Sequence, residues 1–282
     1  MPSMLTTAII TVAVAIPPAL LYLIYKPPTS LIHYFQRRWP DILWLAPTKD
    51  QNKLIALTID DGPSPYTAEI LQVLKANDAT ATFFLIGSNI ADVDVDRDTG
   101  ADTNTNTNTS QNNAAESQTE TLHALLHAGN ELANHAMHDE PSWRLSDTVL
   151  TTQIKTVERK IQHVYNAAYP SKTTTPTTAP RPPKYFRPGS GFFTTRMRRL
   201  LAALEYRLVL GSVYPHDAQI PSPRVNARHI LSLARPGAII IVHDGRRWTA
   251  PMLRVVLPEL RGRGYRVVSV SELVRGGGGG GG

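Results

Sequence analysis

Short apolar or β-branched runs recur along the chain, and nearly every one stops at a polar residue before an amphipathic segment begins. They fall at 54–59 (LIALTI), 80–87 (TATFFLIG), Glu131–Asn134, Lys184–Phe186, Tyr206–Leu210, Ala238–Val242 and Arg266–Val270. Between them lie segments with helical spacing. Ser64-Pro65 suits the start of a helix through Asn77, and another helix closes at Ala128-Gly129. Ser146 caps a long helix whose Leu150, Ile154, Val157, Ile161 and Val164 share one face. Further helices are expected near Thr194–Leu204, Asn226–Ala234 and Pro251–Arg263. Strands that alternate with helices pair in parallel, because each crossover returns the chain to the same end of the sheet. The pattern predicts an α/β fold: a distorted parallel (β/α) barrel of about seven strands, preceded by an N-terminal hydrophobic helix.

The flanks and insertions have a different composition. Residues 5–25 carry no charge and are closed by Lys26, a length that suits a membrane-spanning helix. Pro17-Pro18 would kink such a helix without excluding it. A cleaved signal peptide and a buried core helix are the alternatives. The expected organisation is therefore a membrane anchor over 1–26, a linker over 27–52, a catalytic domain over 53–274 and a disordered glycine tail over 275–282. Stretches rich in Asp, Asn and Thr (92–118) and in Thr and Pro (171–183) cannot build a core and read as disordered insertions. Asn108-Thr109-Ser110 is a glycosylation sequon if that segment meets the secretory lumen.

Formal charge is +6, yet the basic residues are scattered and no nucleic-acid motif organises them, so nucleic acid is not expected as a partner. With no cysteine in the chain, any metal must sit on His, Asp or Glu. A single-pass membrane protein is expected, its side undecided. Lys26, Arg37 and Arg38 after the span favour a cytoplasmic domain.

Sites in parallel barrels form where the C-terminal ends of strands converge. Reading those ends in order gives Asp60-Asp61, His135, Arg187, Asp217 and His243-Asp244. Two adjacent carboxylates at the end of an apolar strand repel each other. They are tolerable if a cation sits between them or if one titrates high enough to act as a base. Each residue has an ordinary explanation alone: an acidic turn, a surface ion pair for Arg187, a core histidine at 243, a turn residue at Asp217. Together they form a constellation that can supply metal ligands, a base, an acid and a cation.

The motifs that carry these residues resemble those of the polysaccharide deacetylases of carbohydrate esterase family 4, which include chitin and peptidoglycan deacetylases. Thr58-Ile59-Asp60-Asp61-Gly62-Pro63-Ser64 is similar to the family's first motif, Tyr185-Phe186-Arg187-Pro188-Gly189 to its third and Ile240-Ile241-Val242-His243-Asp244 to its fifth. Leu210-Gly211-Ser212 leading to Asp217 is a weaker match to the fourth. The resemblance implies hydrolysis of N-acetyl groups on glycans that contain N-acetylglucosamine, such as chitin, which favours a cell-surface location. It further implies Asp60 as general base, His243 as acid held by Asp217, Arg187 tuning Asp60, and a backbone N–H near Ser190 stabilising the oxyanion. The implied cofactor is a divalent metal, zinc first, with manganese, magnesium or cobalt as alternatives, on Asp61 and His135.

Two features depart from the family pattern. The second motif usually carries two histidines four residues apart, whereas here His135 is followed by Asp139 at that spacing and by His138 at three. Either can lie one helical turn from His135; Asp139 keeps the register and His138 is the alternative. Gly189 stands where the third motif usually has proline, which is expected to loosen that loop. Altered metal ligands leave room for a non-catalytic carbohydrate-binding relative, and a cytoplasmic domain would favour a deacylase of small amides. Trp143 and Trp248 are the candidate aromatics for a polymer groove.

Overall fold

The computed structural model describes residues 4–47, 53–91, 109–170 and 180–277. They divide into two units, Met1–Pro40 and Asp41–Gly282. The first contains α1 (Met4–Tyr25) and α2 (Thr29–Arg38), so part of the expected linker is helical. The membrane anchor is not supported: among the described residues no helix is long and apolar enough to cross a membrane.

The second unit begins with β1 (Ile42–Leu43) and β2 (Leu54–Gly62), then α3 (Thr67–Ala76), β3 (Thr82–Leu85) and α4 (Thr109–His127). It continues through β4 (Glu131–Asn134), α5 (Asp147–Ala168), β5 (Tyr185–Phe186), α6 (Thr195–Ala203), β6 (Arg207–Val209) and α7 (Pro223–Leu233). It ends with β7 (Ile239–His243), α8 (Thr249–Gly262), β8 (Arg266–Val268) and α9 (Val270–Gly277). The strand order is β1-β6-β5-β4-β3-β2-β7, with β8 also pairing β2, and every strand pair is parallel. Isolated bridges Leu45↔Ala238 and Val213↔Ile240 link the two edges, so the sheet curls into an incompletely closed barrel. The expected architecture is borne out. The strand missing from the expectation is β1, whose two residues are too short to carry a periodicity.

Both faces of this sheet are covered, which is why its strands are nearly continuous apolar runs. Along β2, Ile55, Leu57 and Ile59 join the larger hydrophobic cluster packed under the helices. Leu54 and Ala56 join a second cluster with Phe84, Ala133, Val209 and Ile239 inside the barrel. Side chains alternate along a strand, so Thr58 and Asp60 share the inward face with Ala56. Sequence parity alone thus aims Asp60 into the barrel.

Local signals were partly right. Ser146 caps α5, its Oγ accepting from Val149 N–H at 3.3 Å. Ser64 does not cap α3, which starts at Thr67; its hydroxyl instead donates to Asp244. Residues 92–108 and 171–179 of the two expected insertions, with Asn108, lie outside the described residues. Residues 109–118, expected to be disordered, belong to α4, and Gln118 bonds to Asn89 O and Ala91 N–H. The glycine tail is helical as far as Gly277, and a Cβ at Gly276 would lie 2.4 Å from Leu54 Cδ1. Residues 278–282 lie outside the described residues.

Phe83 is fully buried among the outer cluster, away from the barrel mouth. Phe83→Ala is expected to lower unfolding free energy by about 3–5 kcal/mol in a urea titration, because the surrounding strands and helices collapse only partly into the space.

Candidate active site

At the C-terminal mouth of the barrel lies a cavity of about 620 Å³. Asp60, Asp61, His135, Asp139, Arg187, Ser190 and His243 all line it. Residues far apart in sequence therefore meet as the strand-end reading required.

Asp60 is almost fully buried on the inward face of β2, opposite His243 in the β2–β7 register. Arg187 Nη1 donates to Asp60 Oδ1 at 2.5 Å and to Thr58 Oγ1 at 2.7 Å, while its Nε donates to Val209 O at 3.0 Å. The guanidinium also sits 4.1 Å from the Phe84 ring centroid. The surface ion pair considered for Arg187 is thus replaced by a buried one that crosses the barrel interior.

Asp61 would by strand alternation face the helices. A register irregularity between Asp60 and Gly62 and a φ of 67° at Asp61 re-aim it toward the cavity. There its Oδ1 lies 3.4 Å from His135 Nε2. The other ring nitrogen, Nδ1, donates to Arg187 O at 2.7 Å, which orients the ring so that Nε2 faces Asp61, as a donor when protonated and with a lone pair for a cation when it is not. Burial opposes ionisation of Asp61, but the hydrogen bond and charge of His135, with His243 and Arg246, hold its pKa below the ordinary value. For His135 burial likewise opposes the charge, and Asp61 and Asp60 outweigh it and raise the pKa.

His243 is built in the same way. Its Nδ1 donates to Asp217 Oδ1 at 2.9 Å and its backbone N–H to Asp217 Oδ2 at 2.8 Å. Asp217 is fully buried, and Trp248 Nε1 donates to its carbonyl. Burial disfavours the imidazolium, but the bond to Asp217 and the nearby carboxylates prevail, and the His243 pKa rises to about 9.

Asp244, next in sequence, stays out of the cavity and acts as a brace. Ser64 Oγ donates to its Oδ1 at 2.6 Å, Thr67 Oγ1 to its Oδ2 at 2.5 Å, and its own N–H to Asp60 O at 2.7 Å. These bonds tie the end of β7 to the end of β2.

Could these residues hold a divalent cation? Two ligands on bonds of about 2.1 Å at tetrahedral corners stand roughly 3.4 Å apart, the spacing found between Asp61 Oδ1 and His135 Nε2. That pair fits two corners. The expected third ligand does not join it: among the described residues no three His, Asp or Glu side chains are grouped closely enough to hold an ion. The physical reason is that the segment after His135 is not helical. Ala136 has φ 64°, and a Glu140 N–H to His138 O bond closes a turn, so the one-helical-turn spacing does not apply. Asp139 and His138 are both exposed, and of the two only Asp139 is among the cavity's lining residues.

Other expectations are also corrected. Trp143 and Trp248 are not among the lining residues; Trp44 and Tyr214 supply the aromatic wall. Trp44 lies just after β1, and no sequence signal marked it. Nor is Gly189 a loosening of its loop. A Cβ there would lie 2.1 Å from Glu140 O, and its N–H donates to Ser142 Oγ at 3.0 Å, a bond proline could not make. Ser190, on the cavity wall, adopts φ 65°. Arg246, three residues beyond His243, also lines the cavity and was missed although it adjoins a recognised motif.

A parallel barrel with a braced carboxylate, a braced imidazole and a second carboxylate–imidazole pair at one mouth has the parts that hydrolysis requires. The family model described as polysaccharide deacetylase matches residues 48–209, more than half of the chain, and the chain belongs to that family. A peptidoglycan-N-acetylglucosamine deacetylase of Bacillus cereus is 28% identical over 83% of this chain and 93% of its own length. A chitooligosaccharide deacetylase of a Bradyrhizobium strain is 26% identical over 78% and 90%. The solved structure of the peptidoglycan deacetylase PdaC from Bacillus subtilis aligns over 80% of this chain and 92% of its own, with 26% identity and a TM-score of 0.61. The expected enzyme class, hydrolases of carbon–nitrogen bonds, is borne out by these relatives.

Gly189→Ala is expected to destabilise the protein by about 1–3 kcal/mol, because the Glu140 carbonyl must move. Gly262→Ala, whose Cβ would meet nothing within 4 Å, serves as the comparison in the same urea titration and should show no loss.

Proposed function

We propose that this protein removes N-acetyl groups from glycans containing N-acetylglucosamine, releasing acetate and a free amine. The observation that carries this reading is the register pairing of Asp60 with His243 on adjacent strands, each braced from behind, beside the Asp61–His135 pair. Binding a sugar needs neither a held base nor a held acid, whereas amide hydrolysis needs both.

In the proposed reaction a water attacks the acetyl carbon while Asp60 takes its proton. Arg187 fixes the Asp60 carboxylate so that its free lone pairs face the cavity. Charge that develops on the acetyl oxygen is met by a backbone N–H at the Ser190 turn, already set in a positive-φ conformation. His243 Nε2–H then protonates the amide nitrogen as the carbon–nitrogen bond breaks. Asp217 keeps that imidazole charged, so the acid is loaded at neutral pH. Asp61 and His135 would hold a divalent cation, zinc first among the candidates, whose chemistry when bound is to polarise the carbonyl and lower the pKa of a water toward neutrality.

Asp60→Asn and His243→Gln should each reduce acetate release from N-acetylglucosamine oligomers by about 10²-fold or more, with the fold retained. Acetate release that survives either change would overturn the assignment. Chelation should abolish turnover and zinc restore it; turnover unaffected by chelation would remove the cation from the proposal.

The pH dependence has a definite sign. A His243 pKa raised to about 9 keeps the acid protonated below that value, so activity should fall as pH rises through about 9. Asp217→Asn removes the stabilising charge and should move this alkaline limb to lower pH in a kcat profile. The absence of a third ligand group among the described residues favours a second reading, a glycan-binding relative without turnover. Binding of the same oligomers with no acetate released, in the zinc-loaded protein, would support it.

A further inference from the structure

Strand β3 runs between β2 and β4, so the turn that follows it lies between the loop carrying Asp61 and the loop carrying His135. That turn, residues 86–91, is bonded to both. On one side Ile86 N–H donates to Gly62 O at 2.9 Å and Asn89 Nδ2 donates to Asp61 O at 2.9 Å. On the other, Gly87 N–H donates to Ala136 O at 3.0 Å and Ser88 N–H to Met137 O at 2.9 Å. Three of these four donors are backbone groups that any residue but proline would supply. The Asn89 amide is the exception, a side chain aimed at the carbonyl of a proposed ligand.

The turn is itself held from outside. Lys160 of α5 donates to Gly87 O at 3.1 Å and to Ile90 O at 3.0 Å. Gln118 of α4 donates to Asn89 O at 2.8 Å and accepts from Ala91 N–H at 2.7 Å. A Cβ at Gly87 would lie 2.4 Å from Val157 Cγ2, so the turn already packs tightly on α5. What it braces is backbone under strain. Asp61 has φ 67° and Ala136, next to His135, has φ 64°, conformations that persist only where neighbours fix them. The Asp61 carbonyl swings with the ψ angle of that residue, so the bond from Asn89 fixes the backbone from which the carboxylate projects. We infer that Asn89 is a positioning residue: it sets the 3.4 Å separation of Asp61 and His135, and through it the affinity for a cation, although it is exposed and not among the cavity's lining residues. This rests on the reading of Asp61 and His135 as cation ligands.

The test measures zinc binding to the metal-stripped full chain by calorimetry, with no substrate present. Asn89→Ala should weaken zinc binding by about three- to tenfold, the scale of one hydrogen bond. Leu253→Ala, at a fully buried position of α8 in the outer cluster, serves as the comparison. It should lower the midpoint of a urea titration and leave zinc affinity unchanged, so that lost stability alone does not mimic the effect. Equal zinc affinity in Asn89→Ala and wild type would overturn the inference and leave the cation reading intact. An equal loss of affinity in Leu253→Ala would also overturn it. No zinc binding by wild type would count against the cation reading instead. In that event crystal structures of the two metal-free proteins decide. An Asp61 carboxylate displaced from His135 in Asn89→Ala supports the role of Asn89, and an unmoved pair with the same φ at Asp61 overturns it.

Discussion

One buried guanidinium organises the mouth of this barrel. Arg187 leaves the end of β5, bonds to Asp60 and Thr58 on β2, reaches Val209 O on β6 and lies over Phe84 of β3. Its backbone carbonyl accepts from His135, just beyond β4. A single residue thus meets four other strand ends and touches both the proposed base and the proposed ligand pair. Removing a charge from water costs several kcal/mol unless it is paired and well bonded. That cost explains the geometry: Arg187 is tolerated because the Asp60 carboxylate pairs with it and its Nε and Nη1 are bonded, Nη2 alone having no partner among the described residues. The base and its brace are therefore one electrostatic unit.

A second unit stands opposite, made of Asp217, His243 and Trp248, and Asp244 fixes the distance between the two. With Asp244 N–H bonded to Asp60 O and its carboxylate bonded to Ser64 and Thr67, the ends of β2 and β7 cannot slide independently. The proposed base and acid are held on adjacent strands by rigid elements, beside the cavity that would take the substrate. Arg246 follows directly on this brace, so its place on the cavity wall is set by the same contacts that place His243.

How much of this was written in the sequence depends on the range of the signal. The β2 run, its two carboxylates and the parity that turns Asp60 inward are local, and they were legible. So were the strand ends that carry His135, Arg187 and His243, because both faces of the sheet are buried and the apolar runs stop where the barrel opens. The failures lie where local spacing does not report the folded geometry. Asp139 was expected one helical turn from His135, but a positive φ at Ala136 makes the segment a turn. Gly189 looked like a loss of stiffness, whereas only the folded chain shows Glu140 O pressed against it. Trp44 and β1 lay in a stretch read as linker, since two residues carry no period. The N-terminal stretch was judged by length and hydropathy alone, and the described residues give it no membrane-crossing helix.

The central claim is that Asp61 and His135 share one divalent cation at this mouth. Anomalous scattering at the zinc edge, from crystals grown with one equivalent of zinc, tests it without reference to any substrate. The account predicts one strong peak about 2.1 Å from both Asp61 Oδ1 and His135 Nε2. A map with no peak between them, or with its peak on other histidines, would contradict it.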